Sequence, residues 1–223
     1  MERKPVTLAS AVAQSGTGIE INKVLRNTYM LLGMTLLFSA VTATIAMAMN
    51  IGHMTSLVLM LVGFGLLFVV NKTAESSKGI VAIFAFTGVM GAALGPLLNF
   101  YLALSNGPSL VMQALGGTAI VFFSLSAYVL TTRKDFSFMG GFLMVGLVVA
   151  LVASIAMMFF SIPGGQLALS AGIVVLMSGL ILFDTSRIIH GGETNYIRAT
   201  VSLYLNIYNL FTALLHLLGA ADD

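Results

Sequence analysis

Asp184 stands inside an apolar run, Leu-Ile-Leu-Phe-Asp-Thr-Ser-Arg-Ile-Ile-His-Gly-Gly-Glu over 180–193, with Arg187 three residues on. Its helical position lies about five residues, ~7.5 Å, inside the end of that run. An ionised carboxylate carried into a bilayer costs ~3 kcal/mol on insertion scales, so it must find a partner or do work. The next apolar run carries Ser202, Asn206 and Asn209, and the turn His-Gly-Gly-Glu-Thr-Asn-Tyr at 190–196 joins the two. Antiparallel neighbours across such a turn bring the Asp184 carboxylate and the Asn206 amide within reach, as a polar plug near one face of the membrane. Two chemistries stay open for Asp184. It is either a structural carboxylate, paired with Arg187 and snorkelling to water, or a group for gating, proton sensing or ion passage. Ser202 and Asn209 support the pair either as packing glue or as pore lining.

The elements that must hold these groups are transmembrane helices. The 223 residues are 58% hydrophobic and 8% charged, against roughly 25% charged in a soluble domain. Seven stretches, 29–49, 54–70, 79–98, 109–130, 138–160, 168–189 and 197–218, have the apolar length to cross a hydrocarbon core of ~30 Å as helices. Helices are required because lipid offers the backbone no hydrogen-bond partner. The expected fold is an all-α integral membrane protein: a flexible N-terminal tail over 1–28, a seven-helix domain over 29–218 and a short C-terminal tail over 219–223. The start, Met-Glu-Arg-Lys-Pro-Val-Thr-Leu-Ala-Ser, is too polar for a secretory signal.

All ten Lys and Arg fall before the first stretch or around the second, fourth and sixth linkers. That one-sidedness makes their side cytoplasmic, with the N-terminus inside and the C-terminus outside. The positive charge anchors to anionic headgroups of the lipid bilayer. Nucleic acid is excluded as a partner, because the chain has no basic face or aromatic-basic platform.

Helix packing in lipid relies on small and hydrogen-bonding faces. Gly91 and Gly95 form a GxxxG on the third stretch, with Gly88 before and Pro96 after, which predicts close packing and a bend or break. On the sixth stretch Ala168, Gly172, Gly179 and Ser186 share a face, and Asp184 points from another. Ala199, Ser202, Asn206, Asn209, Ala213 and His216 make a single stripe at heptad period along the seventh. Such a stripe places the seventh helix in the interior of the bundle.

Enzymatic chemistry finds no footing. Cysteine is absent, which removes thiol nucleophiles and thiolate metal sites. His190 and Glu193 are too few ligands for a metal, with His53 and His216 expected on the opposite side. A membrane aspartyl protease needs a second intramembrane Asp, and there is none. No cofactor is expected.

The segments Phe-Ala-Phe-Thr-Gly-Val-Met-Gly-Ala-Ala-Leu-Gly-Pro-Leu-Leu-Asn at 84–99, Gly-Gly-Thr-Ala-Ile-Val-Phe-Phe-Ser-Leu-Ser-Ala-Tyr at 116–128 and Ile-Leu-Phe-Asp-Thr-Ser-Arg-Ile-Ile-His-Gly-Gly-Glu-Thr-Asn-Tyr at 181–196 resemble the Bax inhibitor motif family of seven-helix membrane proteins. The likeness runs from about Lys23 to Leu218. It implies a fold whose seventh helix is surrounded by the others. It also implies two functions. In some members an aspartate on the sixth helix and another on the seventh form a pH-responsive pair in a calcium leak. Asp184 matches the first, while Asn206 occupies the second, and a neutral amide neither shares a proton nor attracts calcium ions as a second carboxylate does. A bacterial inner-membrane branch is linked instead to FtsH, a membrane-anchored ATP-dependent protease. That branch implies a modulator, inhibitor and slow substrate of the FtsH complex, with the tail as the handle for pulling. Modulation of FtsH is the first expectation and a pH-sensitive cation leak the alternative.

Overall fold

The computed structural model describes residues 8–160 and 162–220. In chain order they form α1 (Leu8–Ala48), α2 (His53–Thr73), α3 (Lys78–Ala93), α4 (Gly95–Leu102), α5 (Gly107–Thr132), a 3₁₀ turn (Ser137–Met139), α6 (Gly140–Phe159), α7 (Gly165–Ile189) and α8 (Tyr196–Ala220). Among the described residues seven spans are long and apolar enough to cross a membrane, with α3 and α4 together making the third. Thus α7 is the sixth span and α8 the seventh.

The expected boundary at residue 28 is not a break. Residues 1–7 lie outside the described residues, and from Leu8 the chain is helix continuous with the first span. No proline follows Pro5 until Pro96, and Gly16 and Gly18 alone only weaken a helix among Ala, Ile and Leu. The third span does break where Pro96 predicts. α3 ends at Ala93, and α4 restarts at Gly95 with proline in its first turn, where a missing N–H costs nothing.

The GxxxG lies against α1. A Cβ on Gly91 would run into the Ser39 carbonyl and the Thr42 hydroxyl, and one on Gly95 would stand 2.8 Å from the Ala46 Cβ. Only glycine admits this backbone approach, which carries the dispersion contacts that hold helices together in lipid. On α7, Gly172, Gly179 and Ala168 face α6 across an apolar groove, while Asp184 turns the other way, towards α8.

α8 is the centre of the bundle. It packs against α7, α5 and α1 and also meets α3 and α2. Leu203, Tyr204, Leu210 and Leu215 on it are fully buried. Tyr204 joins three helices, with its hydroxyl 2.7 Å from Ser39 Oγ on α1 and donating to the Thr87 carbonyl of α3 at 3.3 Å. Its ring meets Phe86 edge-on at 5.7 Å between centroids. α6 is peripheral, packed chiefly on α7 and the 3₁₀ turn, with Phe142, Val145 and Val149 exposed as a lipid-facing side.

Candidate functional site

α7 and α8 run antiparallel from the turn at 190–195, and the register sets Asp184 beside Asn206. Asn206 Nδ2 donates to Asp184 Oδ2 at 2.8 Å, with the two residues 9% and 5% exposed. An ionised acceptor makes this bond stronger than a neutral pair. The two side chains that the sequence places within reach of one another are therefore in contact, on neighbouring helices.

Arg187 does not join it. Its guanidinium lies 3.6 Å from Glu193, donates to the Gly192 carbonyl at 3.2 Å and stands 5.6 Å from the Phe183 ring centre. Of the two readings left open for Asp184, the ion pair with Arg187 is not formed: Arg187 sits in the last turn of α7, where its stem reaches out to the turn and to water. Asn209 donates to its own helix at Leu205 O, 2.8 Å away. Ser202 is half-buried on α8, and among the described residues no side-chain hydrogen bond ties it to the pair.

The other half of the α8 stripe lines a cavity of about 440 Å³, walled by Asn209, Thr212, Ala213 and His216 of α8 with Gln166 and Ser170 of α7 and Met60 of α2. Asn209 follows Asn206 by three residues, so the cavity stops about one helical turn short of the Asp184–Asn206 pair. His216 Nδ1 is 2.8 Å from the Tyr101 hydroxyl. It and His53, at the start of α2, lie at the end away from His190, as the sequence indicates.

At the basic end the three linkers interlock, which sequence reasoning missed. Ser186 Oγ accepts from Phe136 N at 2.9 Å. His190 presents Nδ1 to Ser186 O at 2.9 Å and Nε2 to Arg133 O at 3.1 Å. Asn195 Oδ1 accepts from Ile197 N at 2.9 Å, capping α8, while its Nδ2 donates to Ala74 O at 2.8 Å. Arg198 meets Glu75 at 3.0 Å. Asp135, fully exposed in the α5–α6 linker, is held below the ordinary carboxylate range by hydrogen bonds from the Ser137 hydroxyl and then its amide. Only the Asn195 cap had a local signal, an Asn directly before the last apolar run.

A seven-span helical bundle wrapped around its last helix, with one buried carboxylate–amide contact, defines a multi-pass membrane protein. The family model described as Inhibitor of apoptosis-promoting Bax1 matches residues 21–223, and the chain belongs to that Bax inhibitor family. It is 55% identical over 205 residues to the protein described as modulator of FtsH protease YccA in Escherichia coli K12, covering 92% of this chain and 93% of that one. The inner membrane protein YccA of Escherichia coli O6:H1 matches to the same extent. An uncharacterised protein of Pseudomonas aeruginosa is 50% identical over 225 residues, with full coverage of both chains.

Proposed function

We propose that this chain is an inner-membrane modulator of the FtsH protease, binding the complex as an inhibitor and slow substrate in membrane protein quality control. The observation that carries this reading is the 55% identity, across 92% of the chain, to a protein described as a modulator of that protease. Packing supports it. A protease that pulls from the N-terminus must first free α1, whose contacts run to α3, α4, α7 and α8 and include glycine approaches that tolerate little distortion. The linkers tied at the basic end add to the work of extraction, so the chain holds the machine while it unfolds slowly. The segment before residue 29 serves as the handle, on the cytoplasmic side that the basic residues mark. No catalytic group is needed for this role.

Binding is tested by co-purifying FtsH with the full chain, with a chain lacking residues 2–18 and with Asp184→Asn. The full chain and Asp184→Asn retain the protease, and the shortened chain loses it. Equal retention by all three refutes the handle. A cation leak is favoured by one observation, the cavity that carries Asn209, Thr212 and His216 of α8 and approaches Asp184–Asn206. Calcium flux into liposomes decides it: flux by the wild type, lost in Asp184→Asn, establishes a leak, and flux no greater than in empty liposomes rejects it.

A further inference from the structure

The basic end holds a second feature that the polar pair leaves unused. α1, α5 and α7 enclose a cleft of about 360 Å³, with Leu25, Leu130 and Ile189 on its apolar walls and Asn22, Arg133 and His190 at its polar mouth. We propose that this cleft binds one anionic phospholipid, its phosphodiester held by Arg133 and Asn22 and its acyl chain laid along Leu25, Leu130 and Ile189.

The charges favour an anion despite the two helix C-termini that meet there. Such ends expose carbonyl oxygens, which repel phosphate. Here His190 bridges them, with one ring nitrogen on Ser186 O of α7 and the other on Arg133 O at the end of α5. Its Nδ1 also lies 3.3 Å from the Ser186 hydroxyl, so the ring is held between the ends of both helices. Arg133 takes left-handed backbone geometry at φ 52, where it closes α5 by donating to Val129 O. Its guanidinium has no hydrogen-bond or ion-pair partner among the described residues, so it is available to a ligand. Lys23 lies on the adjoining groove beyond His190, which Glu20 and Glu193 also line. Glu193 is engaged by Arg187, and Asp135 is held by Ser137.

The apolar walls select a lipid over a soluble phosphate. Three aliphatic side chains would remain wet beneath a free phosphate, whereas an acyl chain covers them. Basic pockets between helices on the side marked by Lys and Arg are where anionic headgroups are drawn.

The test is native mass spectrometry of the full chain in neutral detergent, doped equally with dioleoylphosphatidylglycerol and dioleoylphosphatidylcholine. The wild type retains the phosphatidylglycerol about five-fold over the phosphatidylcholine, as one well-placed cation near a membrane surface gives. Arg133→Gln abolishes the preference, and Arg133→Lys restores part of it. Leu25→Trp, which fills the apolar wall, lowers retention while Arg133 is intact. Inorganic phosphate at millimolar concentration does not displace the lipid. Equal retention of the two lipids by the wild type, or an unchanged preference in Arg133→Gln, overturns the proposal. Full displacement by inorganic phosphate overturns the lipid as occupant and makes the cleft a soluble-anion site.

Discussion

At the scale of single residues, the bond between Asp184 and Asn206 explains how a carboxylate persists inside a seven-span bundle. Replacing Asn206 with Leu leaves the buried Asp184 carboxyl without its donor, which lowers stability by about 1–3 kcal/mol. Asp184→Asn keeps an amide-to-amide contact and changes stability by less than about 1 kcal/mol. Thermal unfolding in one detergent reads both, and equal losses would show that the hydrogen bond is not what holds the site. Asp135 gives a pH dependence of definite sign. Its folded carboxyl titrates below the unfolded one, so its contribution is present above the unfolded value and is lost as the pH falls through the folded one. The melting temperature therefore declines with acid through and beneath the carboxylate range, and Asp135→Asn removes part of that slope.

The polar pair was legible because a short turn fixes the register of two helices, so depth along each helix sufficed to match Asp184 to Asn206. Spacing left the partner of Arg187 open, because three residues' separation says that two groups share a helical side, not that a long stem at the helix end stays there. Ser186, His190 and Asn195 were illegible as connectors. Their partners, Phe136 N, Arg133 O and Ala74 O, are backbone groups of other linkers, and no spacing along the chain encodes them.

At the scale of elements, glycines with the same helical propensity separate by surroundings. A Cβ on Gly91 meets backbone of α1, while one on Gly172 meets open space. Gly91→Leu forces α1 and α3 apart and costs about 1–3 kcal/mol or more, whereas Gly172→Ala is neutral or stabilising by up to about 1 kcal/mol. A melting comparison of the two variants checks this. Asn195→Ala loses the cap of α8 together with the tether to Ala74, and lowers stability by about 0.5–2 kcal/mol for the cap alone. The spans and the break at Pro96 could be read from apolar length and from proline. The start of α1 could not, since polar residues permit either helix or coil and the sequence offers no stop between Leu8 and the membrane.

At the scale of the whole molecule, α8 is the last span in sequence and the centre in space. The stripe of small and polar residues announced its interior position, because lipid would leave those groups unpaired. Its neighbours were beyond sequence patterns, since every span is apolar enough to lie beside any other. The resulting bundle cannot release its first helix without disturbing the central one, which is the mechanical basis of the slow extraction we propose. The most direct measurement is the turnover of a reporter membrane protein by FtsH in proteoliposomes, with and without this chain at equal amount. The account predicts slower reporter turnover with the wild type, while the chain itself is degraded slowly. It also predicts weaker inhibition by Gly91→Leu, which is extracted faster. Reporter turnover unchanged by the wild type would contradict it.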